Sequence, residues 1–197
     1  MIKTAVKKIK SKILFYARSV MFQCFASGAN VDQWHFLHNY YNREYIKKTV
    51  DLANTISIRS VVEIGCGFGE IISRVNAEKK IGIDIDENII KIGRKYHGSK
   101  ISFFHSSADS VFEIDCCLLI CVNWVHELSA SNLKLYLSNK NLRFRYILMD
   151  LVLAGTPGYP YYHRVEDFRD FELVSLISGG RNEPRNIVLM RNKRYEG

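Results

Sequence analysis

From Ser60 to Leu153 the chain alternates short apolar runs with helical stretches, and this alternation is what most restricts its fold. SVVEIG (60 to 65), KIGIDI (80 to 85), KISFFH (100 to 105), CCLLICV (116 to 122) and RYILMDLVL (145 to 153) read as strands. Between them Glu70 to Asn76, Glu87 to Tyr96 and Ser131 to Ser138 have helical spacing, with Asp86 placed to cap the second. Strands that alternate with helices run parallel, because each crossover returns the chain over a face of the sheet. FELVSLI, SGGRNEPR and NIVLMRN break that rhythm and predict two strands joined by a turn, an antiparallel hairpin at the C-terminal end. The expectation is an α/β chain with a mostly parallel seven-stranded sheet.

A length of 197 residues with 47% hydrophobic content supports one sizeable core. The expected division is a helical segment over 1–54 and an α/β unit over 55–197. A net charge of +8 favours anionic company such as nucleic acid, a membrane surface or an acidic small substrate. Cys24, Cys66, Cys116, Cys117 and Cys121 form no C-x-x-C pair, and three fall in CCLLICV. That pattern suits buried thiols in a reducing, cytoplasmic compartment better than disulfides or zinc.

At the N-terminus Ile2, Val6, Ile9, Ile13, Tyr16 and Val20 recur at steps of three and four, with Lys3, Lys7, Lys8, Lys10 and Lys12 mostly off that line. This is a basic amphipathic helix, and the first expectation is that its apolar line lies on its own domain. The second is peripheral docking on an anionic membrane surface or partner. Arg18 interrupts the apolar part, and no unbroken run reaches the roughly 18 residues that a membrane span needs. WHFLHNYYNREYIKKTVDLAN, ending at Asn54, predicts one or two helices. His35 and His38 share a face there, but the sequence offers no further ligands to make a metal site.

The turn in VVEIGCGFGE contains Gly65, Gly67 and Gly69, and then Glu70 where a dinucleotide-binding turn has its last glycine. Glu63 and Glu70 flank it with negative charge, which suits an ammonium or sulfonium ligand better than a pyrophosphate and argues against a dehydrogenase.

VVEIGCGFG resembles the first motif of the class I S-adenosylmethionine-dependent methyltransferases, V-x-E/D-x-G-x-G-x-G. The resemblance extends over roughly residues 55 to 192 through Asp84, FFHSSADS, CVNWVHEL and the terminal hairpin. It implies a Rossmann-like class I methyltransferase fold, with the last strand inserted between the fifth and sixth, and S-adenosyl-L-methionine as cofactor. Carried onto this chain, it implies cofactor contacts from Glu63, Gly65, Cys66, Gly67 and Gly69, from Asp84 and Ile85, and from Asn123. Asp84 is the implied partner of the ribose hydroxyls. In FFHSSADS, Ala108 takes the family's alanine position while Ser107 stands where an acid is expected, so the adenine amino group falls to Asp109 or to Ser107 with backbone groups.

Methyl transfer from a sulfonium is an in-line displacement, and a hydroxyl acceptor calls for a base. His126, just after the fourth strand, and His163, in the loop GTPGYPYYHRVEDF, are the sequence candidates. Asp150 is placed to orient a base or bind a cation, and Tyr40, Tyr41 and Tyr45 to line a helical cap. The chain lacks the Asn/Asp-Pro-Pro-aromatic run of exocyclic-amine methylases. Cys121 also lacks the proline setting of a carbon-5 nucleophile. These absences favour O-methylation of a small molecule or glycan. The alternatives are an RNA methyltransferase using the basic N-terminus, or a non-catalytic accessory protein that keeps the fold.

Overall fold

A computed structural model describes residues 2–26, 31–108 and 113–195. Three helices come first: α1 (Ile2–Phe25), α2 (Trp34–Leu37) and α3 (Glu44–Ala53). β1 (Ser60–Ile64), β2 (Lys79–Asp84), α4 (Glu87–His97), β3 (Ser102–His105), β4 (Ile114–Cys121), α5 (Ala130–Leu137) and β5 (Leu142–Val152) follow. β6 (Phe171–Ser178) and β7 (Arg185–Asn192) close the chain.

The sheet has seven strands in the order β3-β2-β1-β4-β5-β7-β6. All pairings are parallel except those of β7, which runs antiparallel between β5 and β6. Apolar strand faces are buried on both sides. Val61, Leu118, Leu148 and Leu189 belong to one core cluster, and Val62, Leu119, Ile147 and Val188 to the other. The predicted strands and hairpin are present within a few residues of their expected bounds. Asp86 caps α4 as expected, accepting from the N–H groups of Asn88 and Ile89.

Two local expectations fail. Glu70 to Asn76 forms turns and one short 3-10 segment at Ile72–Arg74 instead of a helix. Only 14 residues separate Ile64 from Lys79, and Val75 is extended with ψ 135°. The buried Glu63 carboxyl accepts the Ile72 N–H at 3.0 Å, and Asn54 clamps the far end by bonding the Arg74 carbonyl and Asn76 N–H. These tertiary bonds fix the segment at both ends, and the Asn76 N–H is the one among them that a helix over 70–76 would have given to its own ladder.

The second failure is the orientation of α1. Val6, Ile9, Ile13, Tyr16 and Val20, the line expected to lie on the domain, are all more than half exposed. The opposite side docks instead. Arg18 is 5% exposed and forms an ion pair with the Glu70 carboxylate, while Phe22 stacks on Phe68 with centroids 4.5 Å apart. Burying a charge costs so much that the side carrying its partner decides the orientation.

α3 lies at the base of the core. Tyr45, Ile46, Val50, Leu52 and Ala53 are buried in the same cluster as β1, β4 and β7, although an expected boundary at residue 54 groups them with the helical segment.

Candidate functional site

The sheet order reverses between β1 and β4, and at such a switch point the two outgoing loops diverge and leave a crevice beyond the strand ends. A cleft of about 290 Å³ lies there. Glu63, Gly65, Cys66 and Gly67 line it from β1 and its loop, Asp84 and Ile85 from the end of β2, and Asn123 and Trp124 from the end of β4. Trp34, His35, Tyr45 and Ile46 close it from the N-terminal helices.

The loop after β1 needs its glycines for two reasons. Gly65 has φ +71°, and a Cβ there would stand 2.8 Å from Trp124 Cδ1. Gly67 has φ +52°, with the His35 ring 3.5 Å from where its Cβ would be. The Gly67 N–H donates to Asp84 at 2.8 Å, and the other Asp84 oxygen accepts the Asp86 N–H at 3.0 Å. A carboxylate has about four acceptor positions, so Asp84 holds the loop in place and keeps capacity for roughly two further donors.

Burial pushes the Glu63 carboxyl up to about 8 against the pull of the Ile72 N–H, and Asp84 adds to the rise. The folded chain therefore retains this proton where the unfolded chain has lost it. The resulting stability is complete below the ordinary carboxylate range near 4.5 and disappears as pH rises through about 8. Glu63→Gln removes the titration. Its stability relative to the parent chain should improve by about 2 kcal/mol between pH 6 and 8, at about 1.4 kcal/mol per pH unit. Denaturant melts of both proteins across that range check this, and a difference independent of pH would mean that Glu63 ionises normally.

Glu70 is buried by a separate network of Arg18, Arg74 and the Tyr40 N–H. Its charge is thus spent on joining α1 to the glycine loop. Beside the cleft lies a second polar cluster. Asp150, fully buried at the end of β5, accepts the Asn123 N–H at 2.7 Å and pairs with Arg185 at 2.5 Å. Arg185 also donates to Asn123 Oδ1 and to the Tyr159 hydroxyl, and its guanidinium lies 4.4 Å from the Tyr45 ring centroid. Burial is the largest single influence on Arg185 and favours its neutral form, but Asp150, Tyr45, Tyr159 and Glu183 together outweigh it and keep the charge. Asn123 adopts φ 71°, a left-handed conformation that asparagine tolerates better than most residues.

Other expected site residues lie elsewhere. Gly69 packs against His97 and Phe103, each about 3.1 Å from where its Cβ would be. Ser107 and Ala108 are half-buried beyond β3 and do not line the cleft. Asp109 lies outside the described residues. His126 is buried, its Nδ1 without a hydrogen-bond partner among the described residues and its ring edge-on to Tyr159 at 4.7 Å; burial lowers its pKa. The His163 ring is held by the Val125 carbonyl at 3.0 Å and lines a different cavity with Phe168 and Phe171. Asp150 serves Arg185 and Asn123 and has no hydrogen bond to either histidine among the described residues. Of the three tyrosines, Tyr45 reaches the cleft, whereas the Tyr40 ring lies 4.4 Å from the Arg74 guanidinium. Cys121 is fully buried with its thiol pKa raised by burial, the opposite of what a nucleophile needs.

Residues that the sequence left without a role in the site are Trp34, His35 and Ile46. The signal for His35 was its place on a helix face shared with His38, read only as a metal question. It is half-buried with a pKa lowered by burial against the pull of Asp84, and so is held neutral. No hydrogen bond among the described residues occupies its ring nitrogens.

The architecture has counterparts among solved structures. The N-methyltransferase NodS from Bradyrhizobium japonicum WM9, in complex with S-adenosyl-L-homocysteine, superposes with a TM-score of 0.67 at 16% identity, covering 87% of this chain and 97% of NodS. Magnesium protoporphyrin IX methyltransferase (ChlM) from Synechocystis PCC 6803, with bound S-adenosylmethionine, gives 0.62 at 14% identity, covering 94% and 97%. The fold is the class I methyltransferase fold. No protein-family model and no curated protein sequence matches the chain. The two methyltransferases differ in acceptor, so the shared fold leaves the acceptor open.

Proposed function

We propose that the chain is an S-adenosylmethionine-dependent methyltransferase acting on a hydroxyl of a small molecule or glycan. The observation that carries the reading is the Asp84 carboxylate. It stands at the end of β2, facing the cleft, with capacity for a vicinal diol opposite a loop of close-approaching backbone. Glu63 supports it, because a ligand ammonium beside that buried carboxyl would draw off its proton. Ile85, exposed at the cleft, supplies an apolar surface for a base.

Bound S-adenosylmethionine would supply an electrophilic methyl on a sulfonium. The chain's part is to align the acceptor oxygen with it and exclude water, for which orientation is worth on the order of 7 to 11 kcal/mol. His35, neutral and in the cleft, takes the acceptor proton as the new bond forms. His126 is the second candidate, through the Tyr159 and Asp150 cluster, and His163 the third.

Calorimetric titration with S-adenosylmethionine, S-adenosylhomocysteine and NAD tests the cofactor. Micromolar binding of the first two without NAD is expected, with a heat that depends on the buffer near pH 7 because Glu63 releases its proton. Asp84→Ala should weaken that binding by about 1.5 to 3 kcal/mol in a folded protein. Binding of none would favour a non-catalytic relative of the fold. The net charge of +8 and the lysine-rich N-terminal helix favour an RNA acceptor as the alternative, and salt-sensitive RNA affinity would raise that reading.

A further inference from the structure

α1 has two apolar faces, and the domain uses only one. Leu14, Phe15, Phe22 and Phe25 turn toward the protein with Arg18, while Val6, Ile9, Ile13, Tyr16 and Val20 form a solvent-facing stripe, each 57 to 65% exposed. At 1.5 Å per residue the stripe is about 21 Å long. A contiguous exposed apolar strip of this length is unusual on a monomeric surface and marks a contact.

The charges around the stripe say what it contacts. At 100° per residue, Lys10 and Lys12 stand on its two flanks, and both are exposed. Neither has an ion-pair partner among the described residues. Lys3, Lys7 and Lys8 belong to the same helix, and no Asp or Glu occurs before Asp32. The one arginine of the helix is already paired with Glu70. The helix therefore offers an apolar stripe bordered by unneutralised lysines. A second copy laid along it would set lysine against lysine with no acid on the helix to pair them. An anionic bilayer surface satisfies both halves at once, apolar side chains entering the acyl boundary while lysines meet the headgroups. No described helix is long and apolar enough to cross a membrane, which leaves the stripe to lie in the plane.

We infer that α1 is an interfacial membrane helix that seats the chain on anionic lipid through Val6, Ile9, Ile13, Tyr16 and Val20. The seat is connected to the cleft. Ser19 donates to the Phe36 carbonyl of α2 and Ser11 to the Tyr41 carbonyl, and α2 carries Trp34 and His35 of the cleft wall.

The test is flotation of the full chain with vesicles of phosphatidylcholine alone and of phosphatidylcholine with 30% phosphatidylserine, at low and high salt. The parent chain should float with the anionic vesicles only, and less at high salt. Ile9→Ser/Ile13→Ser/Val20→Ser should lower the bound fraction at least tenfold with little change in melting temperature, since these side chains are more than half exposed and belong to none of the core clusters. Lys10→Glu/Lys12→Glu should abolish the preference for anionic lipid. Failure of the parent chain to float overturns the inference, as does equal flotation of the serine variant, which would mean general electrostatic adhesion. A dimer in light scattering that the serine variant dissolves would also overturn it, by making the stripe an interface between copies. The outcome is independent of cofactor binding, so it stands or falls apart from the proposed reaction.

Discussion

Asp150→Ala should be the most destabilising single substitution at the cleft, by about 3 to 5 kcal/mol, because it leaves the buried Arg185 guanidinium without its counter-charge. For a chain of this size that is a fall in melting temperature of roughly 6 to 20 °C. The same change frees the Asn123 N–H, which Asp150 now accepts at 2.7 Å, so the left-handed turn at the cleft floor loses its anchor. Replacing both members tests whether the pair is needed for stability or only intolerant of being halved. Asp150→Leu/Arg185→Met removes both charges together, and most of the lost stability should return. Cofactor affinity should stay impaired in the double variant, because Asn123 and Tyr45 have still lost the groups that position them. Asp150→Ala melting within about 2 °C of the parent would mean that water reaches the pair and that its burial does not govern the site.

What could be read from the sequence divides along a physical line. Strands declared themselves because short apolar runs such as CCLLICV alternate with helical stretches and are too short for buried helices, and the Asp86 cap because it depends on residues two and three positions away. The glycine turn and Asp84 were legible for the same reason: each is a local signal at a strand end. The missing helix after β1 was illegible because Asn54 and Glu63, from outside the segment, fix its two ends and the connection to β2 is short. Periodicity found both the helix and the stripe of α1, but not which side would dock. That was decided by Arg18 meeting Glu70, 52 residues later in the chain and at the position where a nucleotide-binding loop would carry a glycine. His35 was hidden in the same way. Nothing near it in sequence shows that α2 folds back over Gly67, so the sequence turned to His126 and His163, in the segments that follow the fourth and fifth strands.

That displacement makes the choice of base a matter of experiment, with a large effect expected. Once an acceptor is in hand, His35→Ala should lower turnover by about 10² to 10⁴, the usual contribution of a positioned base. Cofactor affinity should change little, since Asp84 and the glycine loop remain intact. Because burial lowers the His35 pKa below its ordinary value of 6.5, the parent rate should climb with pH through an apparent pKa under 6.5 and be level at neutrality. The variant should lose that limb and recover part of its rate when imidazole is added to the assay. A merely structural role for His35 would lower affinity and rate together and would not respond to imidazole. His126→Ala supplies the contrast: its Nδ1 is already buried without a partner among the described residues, and its ring packs on Tyr159 outside the cleft lining. If His126→Ala stops turnover while His35→Ala keeps more than about half, the proton leaves through the Tyr159 and Asp150 cluster, and α2 serves only to close the cleft.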